Sequence, residues 1–88
     1  MTMSNNLEKK LTAKEINNKV KFCIYVEGPV HPEVVSVRTG IPPESVQEAI
    51  QNLLDNKIIK AENMYNELWY SGSNRFMRRV YLFFNHRG

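Results

Sequence analysis

The residues best suited to chemistry lie in the last third of the chain and just before it. Arg75, Arg78 and Arg79 follow the breaker cluster Ser71-Gly72-Ser73-Asn74, with Trp69 and Tyr70 on its other side. A short basic hairpin with that composition can grip phosphates or reach an arginine into a narrow minor groove. The same arginines would also suit an exposed strand edge that carries charge against aggregation. Upstream, Ser45, Gln47, Glu48, Gln51 and Asn52 fall on one side of a helical pattern. Gln47, Gln51 and Asn52 have the donor and acceptor pair that fits adenine, and Glu48 can accept from a cytosine amino group. Against this, Glu44, Glu48 and Asp55 precede the first nearby cation, Lys57, and phosphate rows would repel them. That face reads equally as base-reading or as ordinary solvated surface.

Catalysis and metal binding find little support. His31 and His86 are far apart, and Cys23 stands alone, so neither a zinc-ligand pattern nor a disulfide can form from them. No Gly-rich phosphate loop and no nucleophile elbow occurs. Cys23, on an apolar helix side, is expected to be a small core residue. We expect a non-enzyme, with no cofactor and no small-molecule substrate.

Charge is distributed more tellingly than its total of +3. Residues 1–27 hold five lysines against three glutamates, residues 28–71 three basic and six acidic groups, and residues 72–88 four arginines and no acid. A fold that joins the two ends would create one basic face attractive to phosphates. With 88 residues the chain makes one domain of marginal stability, for which a homodimer would be useful. The longest apolar runs are five residues, Phe22-Cys23-Ile24-Tyr25-Val26 and Val80-Tyr81-Leu82-Phe83-Phe84, against about eighteen for a membrane span. The expected compartment is the cytoplasm, without membrane contact.

These groups need elements to position them. Residues 1–11 read as a flexible arm, 12–84 as the domain and 85–88 as a tail. Thr12 and Glu15 fit a capping box, opening a first helix with Ala13, Ile16, Val20, Cys23, Ile24 and Glu27 along one side. Phe22, Tyr25 and Val26 fall elsewhere, which implies a second buried surface, such as a contact between protomers, or else a strand over residues 20–26. Val30 allows one strand step. Pro32 suits the first position of a second helix ending at Thr39, with Gly40 as its left-handed exit. Pro42 and Pro43 then open a third helix, stapled by Ile41 and Val46, with Val46, Ala49, Ile50, Leu53 and Leu54 inward. Beyond Asn56 the period becomes strand-like. Residues 58–70 and a return strand over 75–84 are expected to pair across the breaker cluster, with Trp69 opposite Phe76.

The expected fold is therefore α+β, three helices and a long two-stranded β-hairpin, and it resembles the winged helix-turn-helix domain over roughly residues 12–84. A narrower resemblance is to the small enterobacterial transcriptional activators typified by the regulators of carnitine metabolism and of the enterocyte-effacement virulence locus. It is carried by Arg78-Arg79-Val80-Tyr81-Leu82-Phe83-Phe84, a basic pair leading into an apolar strand. The third helix departs from that pattern: those activators begin it with arginines, whereas here it reads Pro42-Pro43-Glu44-Ser45-Val46. The resemblance implies transcriptional control, with double-stranded DNA as partner. Ser45, Gln47, Glu48, Gln51, Asn52, Ser73, Asn74, Arg75, Arg78 and Arg79 are the expected DNA-binding residues. The alternative is a protein-interaction module that offers its acidic third helix and aromatic hairpin to a protein partner.

Overall fold

Thr12 caps the first helix as its sequence predicts: the Thr12 hydroxyl accepts from the Glu15 N–H at 3.1 Å, and the Glu15 carboxylate accepts from the Thr12 N–H at 2.8 Å. The computed structural model describes residues 11–87, and their side chains as far as Phe84. The arm expected over residues 1–11 thus lies, but for Leu11, outside the described residues. The elements in order are α1 (Ala13–Glu27), α2 (Pro32–Thr39), α3 (Pro43–Asp55), β1 (Ile59–Met64), β2 (Glu67–Gly72) and α4 (Arg75–Arg87).

Residues 20–26 are helical, not a strand. Their two apolar sides explain why: Val20, Cys23 and Ile24 enter the main core, while Tyr25 is buried against the hairpin and α4. Ala13, expected on the inward side, is exposed in the capped first turn. Between α2 and α3 the backbone turns through Gly40 at φ 76°, where glycine meets no steric penalty. Its N–H donates to Ser36 O, and Ser36 Oγ donates to Ile41 O at 2.6 Å, so the turn is pinned from both sides. Pro42 is extended at φ −58°, ψ 148° ahead of Pro43, as a proline at the first helical position demands. Ile41 and Val46 are both buried, and so are Ala49, Ile50 and Leu53, with Leu54 packed against the same core.

Val30 and Tyr70 exchange both backbone hydrogen bonds at 2.9 Å, so the single strand step after α1 becomes a third, one-residue rung beside the hairpin. Helices α1 to α3, this rung and the hairpin form a winged helix-turn-helix, an α+β fold.

The hairpin itself differs from expectation. Its arms are β1 and β2, paired antiparallel from Ile59 opposite Gly72 to Met64 opposite Glu67. Tyr65 and Asn66 turn it, with φ 54° and 65°; two successive left-handed residues make the tight turn whose twist matches paired strands. The breaker cluster has another task. Asn74 Oδ1 accepts from the Met77 N–H at 3.0 Å and Asn74 O from the Arg78 N–H at 2.9 Å, which is the capping of a helix start. Residues 75–84 are therefore helical rather than a return strand. Their alternation of residue types competes with a second period, in which Met77 and Tyr81 fall one turn apart and pack against the core. Trp69 consequently faces Glu62 across the ladder and not Phe76, which is exposed on α4. The helix runs on to Arg87, through the residues read as a tail.

Candidate nucleic-acid interface

Helix α3 carries one buried stripe, and the opposite side shows what the domain can offer a partner. Gln47, Glu48, Gln51 and Asn52 are exposed and Ser45 is half-buried, so the five side chains expected at the groove do share the solvent side of one helix. Glu44 and Asp55 are exposed on the same helix. Gln51 Nε2 donates to Asp55 Oδ1 at 2.9 Å, so one carboxylate already engages an amide that could read adenine.

The remaining expected residues are not where a long wing would put them. Ser73 Oγ donates to Lys57 O at 2.7 Å and to Ile58 O at 2.9 Å, and the Asn74 side chain caps α4. Both side chains hold the backbone together at the point where β2 hands over to the helix. Arg75, Arg78 and Arg79 are exposed on α4 rather than at the hairpin tip. The tip carries Tyr65 and Asn66, and the arms bear one lysine, Lys60, against Glu62 and Glu67. Lys60 Nζ lies 3.4 Å from Glu62 Oε2. The wing is thus not basic, and the three arginines expected on it belong to the helix that follows.

Three lysines stand apart from the arginines of α4. Lys14 and Lys21 stand on the same side of α1 as Asn17 and Asn18, at spacings of three and four that were legible beforehand. Lys57 lies in the turn between α3 and β1. At the base of the wing, His31 Nε2 meets Glu67 Oε1 at 2.9 Å and its ring lies 3.9 Å from that of Trp69. His31 occupies the cap position of α2, where its carbonyl accepts from the Val34 and Val35 N–H groups.

No protein-family profile matches the chain, and no curated protein does. A solved structure does match. It is described as the crystal structure of the predicted DNA-binding transcriptional regulator from E. coli, and it superposes with a TM-score of 0.65 at 12% identity, over 99% of this chain and 90% of that one. At that identity the likeness is one of fold, and it extends over α4 as well as the helices and hairpin. The narrower resemblance to the small enterobacterial activators rested on residues 78–84 as a strand, and these are helical.

Among the described residues no three His, Cys, Asp or Glu side chains come together as a metal site, and no helix is long and apolar enough to cross a membrane. Cys23 borders a groove between α1 and α2 with Phe22, Val26, Glu27 and Arg38. Burial pushes its thiol up from the ordinary value, the Glu27 carboxylate adds to the rise and Arg38 opposes it. A raised pKa leaves less thiolate at any given pH, and the thiolate is the reactive form. Alkylation of Cys23 in the native protein at pH 8 is therefore expected to run at least tenfold slower than in urea-unfolded protein, as mass spectrometry would follow. Equal rates would remove the inert-core assignment.

Proposed function

We propose that this protein is a cytoplasmic transcriptional regulator that binds double-stranded DNA with sequence selectivity and acts as a homodimer. The observation that carries the reading is the outward side of α3, where Gln47, Gln51 and Asn52 stand exposed on the second helix of a helix-turn-helix whose turn is pinned at Gly40 and Ser36. A helix held this way can enter the major groove, and its amides can take bidentate partners on bases. Arg75, Arg78 and Arg79 then serve as backbone contacts from α4. A second reading has its own support: Glu44, Glu48 and Asp55 make the same side of α3 acidic, which fits a winged-helix module that binds a protein in place of DNA.

Fluorescence anisotropy of a generic duplex across a salt series separates the two. The regulator is expected to bind with a steep salt dependence. The triple variant Arg75→Ala, Arg78→Ala, Arg79→Ala should lose about 0.9 from the logarithmic slope for each arginine that touches a phosphate. Failure of the intact protein to bind at low salt would hand the function to the protein-interaction reading. For the dimer, the exposed aromatic edge of α4 is the surface proposed: Phe76 is 71% and Phe84 60% exposed. Sedimentation of the Phe76→Ser, Phe84→Ser variant as a monomer, beside a dimeric parent, would support it.

A further inference from the structure

Lys14, Asn17, Asn18 and Lys21 of α1, with Asn52 and Asn56 of α3, line a concavity that has no carboxylate in its walls. Lys21 also borders the next concavity, where Lys57 joins it beside Ser73 and Asn74. The two share Lys21 and Ile58, so they make one continuous surface, basic and rich in amides, from α1 to the start of α4. Glu44 and Asp55 line neither part, and Glu48 borders only the adjoining hollow near the start of α3. The domain therefore separates its charges. The outward side of α3 is acidic, and the cations gather beside its C-terminal end.

Lys57 supplies an independent observation. It follows the end of α3 in the left-handed conformation, φ 59°, with its N–H donating to Leu54 O and the Ile58 N–H to Leu53 O, both at 2.9 Å. This is the helix exit that glycine takes without penalty and that disfavours a side chain. A cation at a helix C-terminus does offset the dipole, but that accounts for one charge and not for Lys14 and Lys21 on another helix. The turn is also held firmly: Ser73 Oγ bridges to Lys57 O and Ile58 O, and Tyr25 Oη donates to Ile58 O at 2.7 Å. A costly side chain on a rigid turn, beside two more lysines, fits a polyanionic ligand.

We infer that the surface of Lys14, Lys21 and Lys57 holds the phosphate backbone of duplex DNA alongside the C-terminal end of α3. The inference rests on the DNA-binding reading and adds to the arginines of α4 a second grip, at the junction of α1, α3 and α4.

The test uses the full chain and a generic duplex, with anisotropy measured across a salt series and thermal unfolding in parallel. Lys57→Gly is expected to raise the melting temperature by about 4 °C, because glycine relieves the left-handed backbone. It should also lower the logarithmic salt slope by about 0.9, or affinity by roughly eightfold at 0.1 M salt. Lys21→Gln should lower the slope by the same amount. Lys19→Gln removes an equal charge from the opposite side of α1, beside Cys23 and Arg38, and is expected to leave the slope unchanged. A purely structural Lys57 would predict tighter folding with unaltered binding. If the intact protein binds and both Lys57→Gly and Lys21→Gln keep its slope, the inference fails while the regulator stands. If the intact protein does not bind at low salt, both fail together.

Discussion

Tyr25→Ala is expected to cost about 3–5 kcal/mol of stability, the range for removing a buried aromatic ring. Tyr25 is only 2% exposed, and it joins three elements at once. Its ring lies 5.1 Å from that of Tyr81 on α4, and its hydroxyl donates to Ile58 O at 2.7 Å and accepts from the Asn74 N–H at 3.3 Å. Against it sits Gly72, where an added Cβ would run into the Tyr25 ring. A chain of this size has roughly 4–13 kcal/mol in total, so the alanine variant is expected to lose cooperative unfolding or to show a urea midpoint far below the parent's. Two further variants divide the loss. Tyr25→Phe keeps the ring and should cost about 1 kcal/mol, chiefly through the Asn74 N–H that loses its acceptor, since Ile58 O still accepts from Ser73. Gly72→Ala overpacks the same contact and should cost about 1–3 kcal/mol. Urea titration with unchanged m-value would check each. A Tyr25→Ala variant as stable as the parent would mean that α4 does not lean on α1 as described.

How far the fold was legible depends on where local chemistry and periodicity agreed. The capping box at Thr12 and Glu15, the left-handed exit at Gly40 and the proline entrance at Pro43 each rest on one backbone requirement that few residue types meet, and all three are present. The stripe of Val46, Ala49, Ile50 and Leu53 has only one plausible period, and it is the buried side of α3. Residues 75–84 have two. Phe76, Val80 and Phe84 are four apart and also even-numbered, so they satisfy a helix and a strand alike. What decides is Asn74, whose side chain reaches the Met77 N–H, together with a hairpin already closed by Tyr65 and Asn66. A turn without glycine or proline is a weak signal in sequence, since Asn66 alone of the pair favours the left-handed region. Ser71-Gly72-Ser73-Asn74 is the stronger turn signal in sequence, and a hairpin centred there carries the arginines onto its return strand. The outward residues of α3 were legible for the same reason that its helix was. The lysines of α1 were visible as a stripe, but their pairing with Lys57 depends on tertiary packing that no local pattern encodes.

A proline in the middle of α4 would test the element that separates these two arrangements. Val80→Pro removes a helical N–H and drives its ring into the carbonyl one turn back, at a cost of about 3 kcal/mol or more. The damage should spread in one direction. Met77 and Tyr81 pack against the core from α4, and the Tyr81 ring meets Phe22 at 5.4 Å as well as Tyr25. Losing them uncovers the second apolar side of α1, while α2, α3 and the Val30 rung keep their own contacts. Far-UV circular dichroism should therefore lose a helix's worth of signal at 222 nm (on the order of ten residues' worth), and the urea midpoint should fall steeply. Phe76→Ala on the exposed edge of the same helix should stay within about 0.5 kcal/mol of the parent in the monomer. A return strand would answer differently, since an edge strand whose N–H points to solvent tolerates proline and a cross-strand partner of Trp69 at Phe76 would not tolerate alanine. The ratio of the two losses, large at Val80 and small at Phe76, belongs to a helix whose inner side is held by Tyr25 and whose outer edge leaves Phe76 exposed within the protomer.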